Sequence, residues 1–367
     1  MKAAVLYEQR KPLVVDDIEV EDPKAGEVMV KIAAAGVCHS DLHYINGMWP
    51  CTLPMVVGHE GAGVVEKVGP GVYSLAPGDH VILSWVAPCG VCEACASGRP
   101  YLCPTSLQGT GSTLWDGTPR FRKGSQPIYH QLCVSSFSEY VVVPQSGAVK
   151  IRNDMPLDKA ALIGCGVVTG VGAVFNAAKV VPGSSVAVFG CGGVGLNVIQ
   201  GAALAHATKI MAVDPVDSKL ELARQFGATH LVKSAFGDPV NQIKLLTYHN
   251  DEDMGADYTF EVVGKTSVLT QAFEATRYGG TCILVGMPPA MSNVVLSTTG
   301  IFLNKVLTGA FYGSARVHYD MPILVDLYMT GKLKLDELIS GTYPLEKIND
   351  AVDALKKGEA LRSIITF

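Results

Sequence analysis

Four cysteines fall within fifteen residues, in the spacing Cys89-x2-Cys92-x2-Cys95-x7-Cys103. Three close sulfurs can wrap one side of a tetrahedral ion and the fourth closes it, which leaves no position open for a substrate. The spacing predicts a structural zinc. Buried reduced thiols are the plainer reading, but chance seldom produces such spacing in an intracellular chain. A second set is scattered: Cys38 in Gly36-Val-Cys-His-Ser-Asp41, His59 in Gly58-His-Glu60 and Cys165 in Gly164-Cys-Gly166. Two thiolates and one imidazole suit zinc, and three protein ligands leave a fourth position for water or a substrate. Spacing alone does not single these three out. A Gly-His-Glu triplet is usually a turn, and a cysteine between glycines also suits close backbone packing.

A third constellation is built of glycine. Gly190-Cys-Gly192-Gly193-Val194-Gly195 follows the apolar run Val186–Phe189 and precedes the helix-forming run Leu196–Ala207. Glycines there allow a tight turn and let backbone N–H groups approach a pyrophosphate at a helix N-terminus. A bare glycine pattern is weak evidence, but here a strand precedes, a helix follows, and the next strand ends in Asp214, 24 residues after Gly190. A carboxylate in that place accepts hydrogen bonds from ribose hydroxyls and repels a 2′-phosphate, so the pattern predicts NAD rather than NADP. Lys219 is within reach of the same ribose, or is a solvated surface lysine.

These groups need elements to hold them. Residues up to about 150 alternate apolar and polar in short runs broken by Gly and Pro, such as Val28–Ile32, Gly63–Val68 and Pro77–Leu83, which predicts short strands and tight turns. From about 166 the rhythm changes to buried strands, Val186–Phe189, Ile210–Val213, Tyr258–Phe260 and Cys282–Val285, alternating with helical stretches. That is the pattern of a doubly wound parallel sheet. A helical stretch over Asp320–Met329 and a strand-like tail, Arg362–Phe367, are expected to return to the first domain, and Trp115–Gln126 reads as an exposed loop.

A length of 367 residues suits two domains that each bury a core. The formal charge of -5, from 29 basic and 34 acidic residues without a basic run, offers no footprint for nucleic acid or an anionic membrane. A small-molecule partner is expected. Glu8 cuts the first apolar stretch too short for an export signal, and ~18 uninterrupted apolar residues, as a membrane span requires, occur nowhere. The expectation is a cytoplasmic protein with reduced thiols.

Taken together, the motifs resemble the zinc-containing alcohol dehydrogenases of the medium-chain dehydrogenase/reductase superfamily. Cys38-His-Ser-Asp-Leu-His43, Gly58-His-Glu-Gly-Ala-Gly63, the four-cysteine lobe, Leu162-Ile-Gly-Cys-Gly166, the glycine loop and the Arg362–Phe367 tail occur in family order over essentially the whole chain. The resemblance implies an α/β protein: a GroES-like β catalytic domain over 1–165 and 310–367, around a Rossmann domain over 166–309. It implies two zinc ions per chain and NAD, with Cys38, His59 and Cys165 as catalytic-zinc ligands. Asp41 then matches the carboxylate that orients the zinc-bound histidine, and Glu60 an acid behind the metal. Ser40 and His43 match the inner and outer groups of a proton relay. Thr169 matches a residue near the nicotinamide, and His39 and Arg362 match residues that hold the pyrophosphate. Cys51, Cys133, Cys191 and Cys282 match no ligand. The implied reaction is reversible oxidation of a primary alcohol to an aldehyde, in an enzyme expected by analogy to be a homodimer, with a tetramer as the alternative.

Trp49, Trp85 and Leu132 match pocket-lining residues and Met287 one that borders both substrate and coenzyme, so a narrow site favouring short primary alcohols is expected. Three other readings compete. A metal-free, NADPH-linked reductase conflicts with the cysteines and Asp214, and a non-catalytic NAD-binding relative conflicts with the retained chemical groups. The closest rival is a carrier-thiol-dependent formaldehyde dehydrogenase of the same superfamily. Its glutathione-using members carry an arginine shortly after the fourth lobe cysteine, whereas Cys103–Gly111 and Asn46–Thr52 are free of charge here. Glutathione is therefore disfavoured, and another carrier thiol stays open.

Overall fold

The computed structural model describes residues 1–109, 112–235, 237–248, 254–289, 291–358 and 361–367. Two compact units emerge, Met1–Cys165 with Arg316–Phe367, and Gly166–Ala315. The C-terminal return therefore begins at Arg316 rather than at 310. The reason is local. The turn Phe311–Ser314 packs on the helix Val168–Gly172 through facing glycines, and a Cβ on Gly172 would stand 2.5 Å from the Gly313 carbonyl oxygen.

In the first unit the eleven-residue strand Glu27–Val37 is the axis of a seven-stranded sheet. Its Val-Met-Val-x-Ile run is buried on both faces, which suits β-branched and apolar side chains in a central strand. It pairs antiparallel with Glu60–Val68 and, on its other side, with Arg362–Thr366, bringing Gly36 opposite Glu60 and Val37 opposite Ser363. The chain tail thus lies beside strands from the beginning of the sequence. A six-stranded sheet containing Lys2–Leu6 and Gln126–His130 completes the β framework. The stretch Trp115–Gln126 departs from the expected exposed loop. Arg120 and Phe121 within it are fully buried, and Arg120 forks onto Glu27, with Nε 2.9 Å from Oε2 and Nη2 on Oε1.

The second unit is a six-stranded, all-parallel sheet. Its spatial order is His230–Lys233, Lys209–Asp214, Ser185–Phe189, Ala256–Glu261, Thr276–Leu284 and Val306–Gly309. Chain direction across the sheet reverses between Ser185–Phe189 and Ala256–Glu261, and ligands of such sheets bind at that switch point, outside the carboxyl ends of the strands.

One continuous helical segment, Leu157–Ala178, is long and apolar enough by length and composition to cross a bilayer. Asp158, Lys159 and Asn176 interrupt it, and 78% of its most apolar window is buried inside the protein, as in a core helix. It widens into a π-type turn over Ile163–Val167. Such turns set an extra residue into a helix, frequently at functional sites.

Candidate metal centre and nucleotide loop

The scattered candidate ligands converge because neighbouring strands carry them in register. Strand Glu27–Val37 delivers Cys38 at its end, strand Glu60–Val68 begins directly after His59, and strand Arg362–Thr366 begins with Arg362. The π-type turn brings in Cys165. Gly164 makes that approach feasible, since a Cβ there would lie 2.8 Å from the Leu83 carbonyl oxygen. Gly36 is equally constrained, because a Cβ would run into the Glu60 carboxylate opposite. The result is a buried cluster in which one ligand atom each from Cys38, His59, Glu60 and Cys165 lies within 4.8 Å of all the others.

Asp41 organises this cluster. It occupies the third position of the short helix His39–Ile45 and reaches back to the Cys38 amide, with N to Oδ2 at 2.8 Å, the acidic half of a capping box. Its other oxygen, Oδ1, accepts the His59 Nδ1–H at 2.7 Å and the Gln131 Nε2–H at 2.9 Å. With the proton on Nδ1, the Nε2 lone pair of His59 points into the cluster, and this atom has no hydrogen-bond partner among the described residues. Both Glu60 oxygens are likewise buried without a hydrogen bond, although Arg362 Nη1 stands 3.7 Å from Oε1. An aromatic nitrogen and a carboxylate left bare beside two thiols in a dry site fit a metal cation.

The electrostatics agree with that fit. A hydrogen bond from the Cys165 thiol holds Cys38 well below the ordinary cysteine range against the cost of burial, and Arg362 adds to the effect. The same contact, with burial, pushes Cys165 up. Burial also pushes Glu60 up to about 7, with Arg362 opposing. Arg362, expected at a pyrophosphate, is itself buried against Glu60 and Cys38.

Ser40 and His43 lie on the Cys38-capped helix, both half-buried, and His39 is exposed. The His43 ring packs on Trp49 with centroids 4.6 Å apart, and its Nδ1 lies 3.3 Å from Met48 Sδ. Burial lowers the pKa of His43, which keeps the ring neutral and able to accept a proton. Trp49 also meets Tyr44 edge-on, while Trp85 packs on the core that includes Val30 and Leu83. Leu132 is buried in the turn directly after Gln131. Sequence reasoning missed Gln131. The available signal was a glutamine and a histidine set in the apolar stretch Ile128–Val134, since a buried amide must find partners.

The four-cysteine lobe forms a second cluster with all sulfurs within 4.8 Å. Backbone amides cradle them: Cys89 N is 3.3 Å from Cys103 Sγ and Cys92 N 3.4 Å from Cys89 Sγ. Donation from the Val91 and Cys92 amides draws Cys89 down to about 6, which prepares a thiolate for a metal. Of the charge-free stretch that follows, Thr110 and Gly111 lie outside the described residues.

In the second unit the glycine loop sits at the switch point of the sheet. Gly190 takes φ +104°, a left-handed value that favours glycine, and helix Gly193–Leu204 follows with Gly192 as its cap and Val194 in its first turn. Gly195 permits contact between that helix and the loop, since a Cβ would overlap the Gly190 carbonyl oxygen. Asp214, at the end of the neighbouring strand, accepts the Cys191 amide at 2.9 Å on Oδ2 and the Val216 amide at 2.9 Å on Oδ1. It therefore shapes the loop as well as standing where a ribose acid is expected. Lys219 is half-buried on the next helix, Thr169 lies on the helix Val168–Gly172, and Met287 is 65% exposed beyond strand Thr276–Leu284.

Comparison with known proteins supports the same assignment. Residues 24–153 match the alcohol dehydrogenase GroES-like domain and residues 193–329 match the zinc-binding dehydrogenase family. The chain is 43% identical to S-(hydroxymethyl)glutathione dehydrogenase of Paracoccus denitrificans, over all of this chain and 99% of the relative. It is 44% identical, over the same shares, to the class-3 alcohol dehydrogenase of Cereibacter sphaeroides. The crystal structure of benzyl alcohol dehydrogenase from Acinetobacter calcoaceticus superimposes with a TM-score of 0.94 at 34% identity, covering 100% of this chain and 99% of that one. Zinc and NAD are the cofactors that this family, the four-cysteine cluster and the nucleotide-binding fold support. The chain belongs to the zinc-dependent alcohol dehydrogenases of the medium-chain dehydrogenase/reductase superfamily.

Proposed function

We propose that the chain oxidises a hydroxymethyl carbon to the carbonyl level, with NAD as hydride acceptor and zinc at Cys38, His59 and Cys165. The observation that carries this reading is the buried convergence of these three ligand atoms around the bare His59 Nε2. Zinc held there supplies Lewis acidity, lowering the pKa of an alcohol. The chain's own groups do the rest. Asp41 fixes the His59 tautomer, the Ser40 hydroxyl would accept the alcohol proton as it passes its own onward, and neutral His43 would receive that proton towards solvent. Cys89, Cys92, Cys95 and Cys103 hold a structural zinc, and Asp214 with Gly190–Gly195 favours NAD.

For the substrate, the relatives shift the balance away from the short free alcohols expected from Trp49 and Trp85. Two relatives more than 40% identical over the whole chain are a class-3 alcohol dehydrogenase and an S-(hydroxymethyl)glutathione dehydrogenase. They favour an S-hydroxymethyl adduct of formaldehyde with a thiol. A second reading, an uncharged primary alcohol such as an aromatic one, draws on a specific feature: the stretch after Cys103 begins Pro-Thr-Ser-Leu-Gln, where Leu107 is 37% exposed and no charge awaits a glutathione carboxylate. Likeness to a benzyl alcohol dehydrogenase points the same way.

Initial rates of NADH formation separate these readings. The panel is formaldehyde with glutathione, formaldehyde with an uncharged thiol, formaldehyde alone, ethanol, butanol, 2-propanol and benzyl alcohol. Strict dependence of formaldehyde oxidation on a thiol is the expected result. Higher kcat/KM for benzyl alcohol than for any formaldehyde–thiol mixture would establish the second reading, and no NADH from any of them would leave a non-catalytic NAD-binding protein.

A further inference from the structure

Gln131 is fully buried and uses both ends of its amide on the metal-ligand segments. Its Oε1 accepts the Gly58 amide at 2.6 Å, one residue before His59, and its Nε2 donates to Asp41 Oδ1 at 2.9 Å, the same oxygen that receives His59 Nδ1–H. Asp41 in turn holds the Cys38 amide. One side chain therefore ties the Cys38–Asp41 segment to the Gly58–His59 segment, and the two bonds leave only one orientation of the amide.

The residues around Gln131 hold it in place. Its own amide donates to Ser135 Oγ at 3.0 Å, and Ser135 Oγ donates to the Val56 carbonyl at 3.0 Å, which pins the turn to the strand leading into Gly58. Within the turn Leu132, Cys133 and Ser135 take φ of 53°, 59° and 54°, left-handed values that are costly for residues with a Cβ. Gly58 itself, at φ +100°, has no room for a Cβ beside Phe137 and Ser136. A strained turn docked on a glycine is poor economy for mere packing, which an apolar side chain at 131 would satisfy without burying an amide.

We infer that Gln131 is a positioning residue for the catalytic zinc, setting the Asp41–His59 pair and the spacing of Cys38 from His59. The inference rests on the proposed zinc site at Cys38, His59 and Cys165. Loss of a group that supports a ligand typically costs ~10–100-fold in metal affinity or activity.

The test uses the zinc-loaded full chain and three variants, Gln131→Met, Gln131→Glu and Asp41→Asn. Zinc release to a chelator is followed as two phases, and the cobalt-substituted protein is read by its visible thiolate–cobalt absorption. Gln131→Met removes both bonds at nearly constant shape and is expected to release one zinc at least tenfold faster, to shift the cobalt bands and to lower kcat more than it raises KM for NAD. Gln131→Glu keeps an acceptor for Gly58 but faces Asp41 with a like charge, so it is expected to fall on the same side as Met. The lobe zinc and the far-ultraviolet circular dichroism should be unchanged in both, which excludes general unfolding. Wild-type release and spectra in Gln131→Met and Gln131→Glu, with Asp41→Asn impaired, would overturn the role of Gln131 alone. Wild-type zinc retention in Asp41→Asn as well, or a wild-type protein that binds no second zinc, would instead overturn the site reading on which it rests.

Discussion

Replacing Cys38 or Cys165 with serine removes a soft donor from the proposed zinc site while His59 stays held by Asp41, so turnover is expected to vanish while the fold persists. The same change at Cys92 or Cys103 acts on a cluster that staples one loop, and a structural metal contributes folding free energy. It is expected to lower thermal stability first and activity only as the fold loosens. Zinc analysis of the purified chain should give two ions per chain, falling to one in either class of variant, and a wild-type content of one would contradict the assignment. Asp214 carries a second prediction at this scale. Substituting glycine removes the repulsion of a 2′-phosphate, so kcat/KM with NADP rises and that with NAD falls. Because Asp214 also accepts the Cys191 and Val216 amides, the variant loses part of the loop's order, and its NADP activity should remain below the wild-type NAD activity.

At the scale of elements, register decides what a residue can reach. Glu60 and Arg362 stand beside Cys38 because both their strands flank Glu27–Val37; motif order along the chain singles out both residues but places Arg362 at a pyrophosphate, whereas its contacts are with Glu60 and Cys38. The glycine loop was equally legible, since strand, turn, helix and acid are contiguous in sequence. What the sequence did not disclose depends on contacts made across it. Gln131 bonds to partners 73 and 90 residues away, and Arg120 pairs with Glu27 across 93 residues. No local period marks either. The Arg120 segment shows the consequence in its neighbour His130, which is fully buried, stacks on Phe121 and accepts the Arg120 amide on Nε2 at 3.0 Å. Burial and the Arg120 charge press its pKa down to about 3. The unfolded chain binds a proton near pH 6.5 that the folded chain refuses, so stability is lost as pH falls from about 6.5 towards 3, at a slope of up to ~1.4 kcal/mol per pH unit. Urea unfolding between pH 4 and 7 should show that slope reduced in His130→Phe. An unchanged slope would mean that other groups carry the acid sensitivity.

At the scale of the whole molecule, the coenzyme-binding unit has an unfinished edge. Strand Val306–Gly309 is the last of six in the parallel sheet, and among the described residues it pairs only with Thr276–Leu284. The same unit leaves Ile301 56%, Phe302 84% and Val306 49% exposed. A bare apolar edge strand is an aggregation hazard that soluble proteins blunt with charge, bulges or a cover. Neither Val306 nor Leu307 carries a charge, and the strand has no bulge in its pairing. A second copy of the chain, related by a two-fold axis, would cover the patch with the identical patch, which is the commonest way to close a homo-oligomer. The expected solution state is therefore a homodimer joined through residues 301–309. Light scattering on the eluted protein should give twice the mass of the 38.8 kDa chain. Phe302→Glu together with Val306→Glu should shift it to the single-chain mass, because like charges placed on a self-complementary patch meet one another across the two-fold axis. The proposed zinc ligands belong to the other unit, so the variant should keep both metal ions. A variant that stays at twice the chain mass would move the contact elsewhere, and a wild-type protein of single-chain mass would show that the edge is left open.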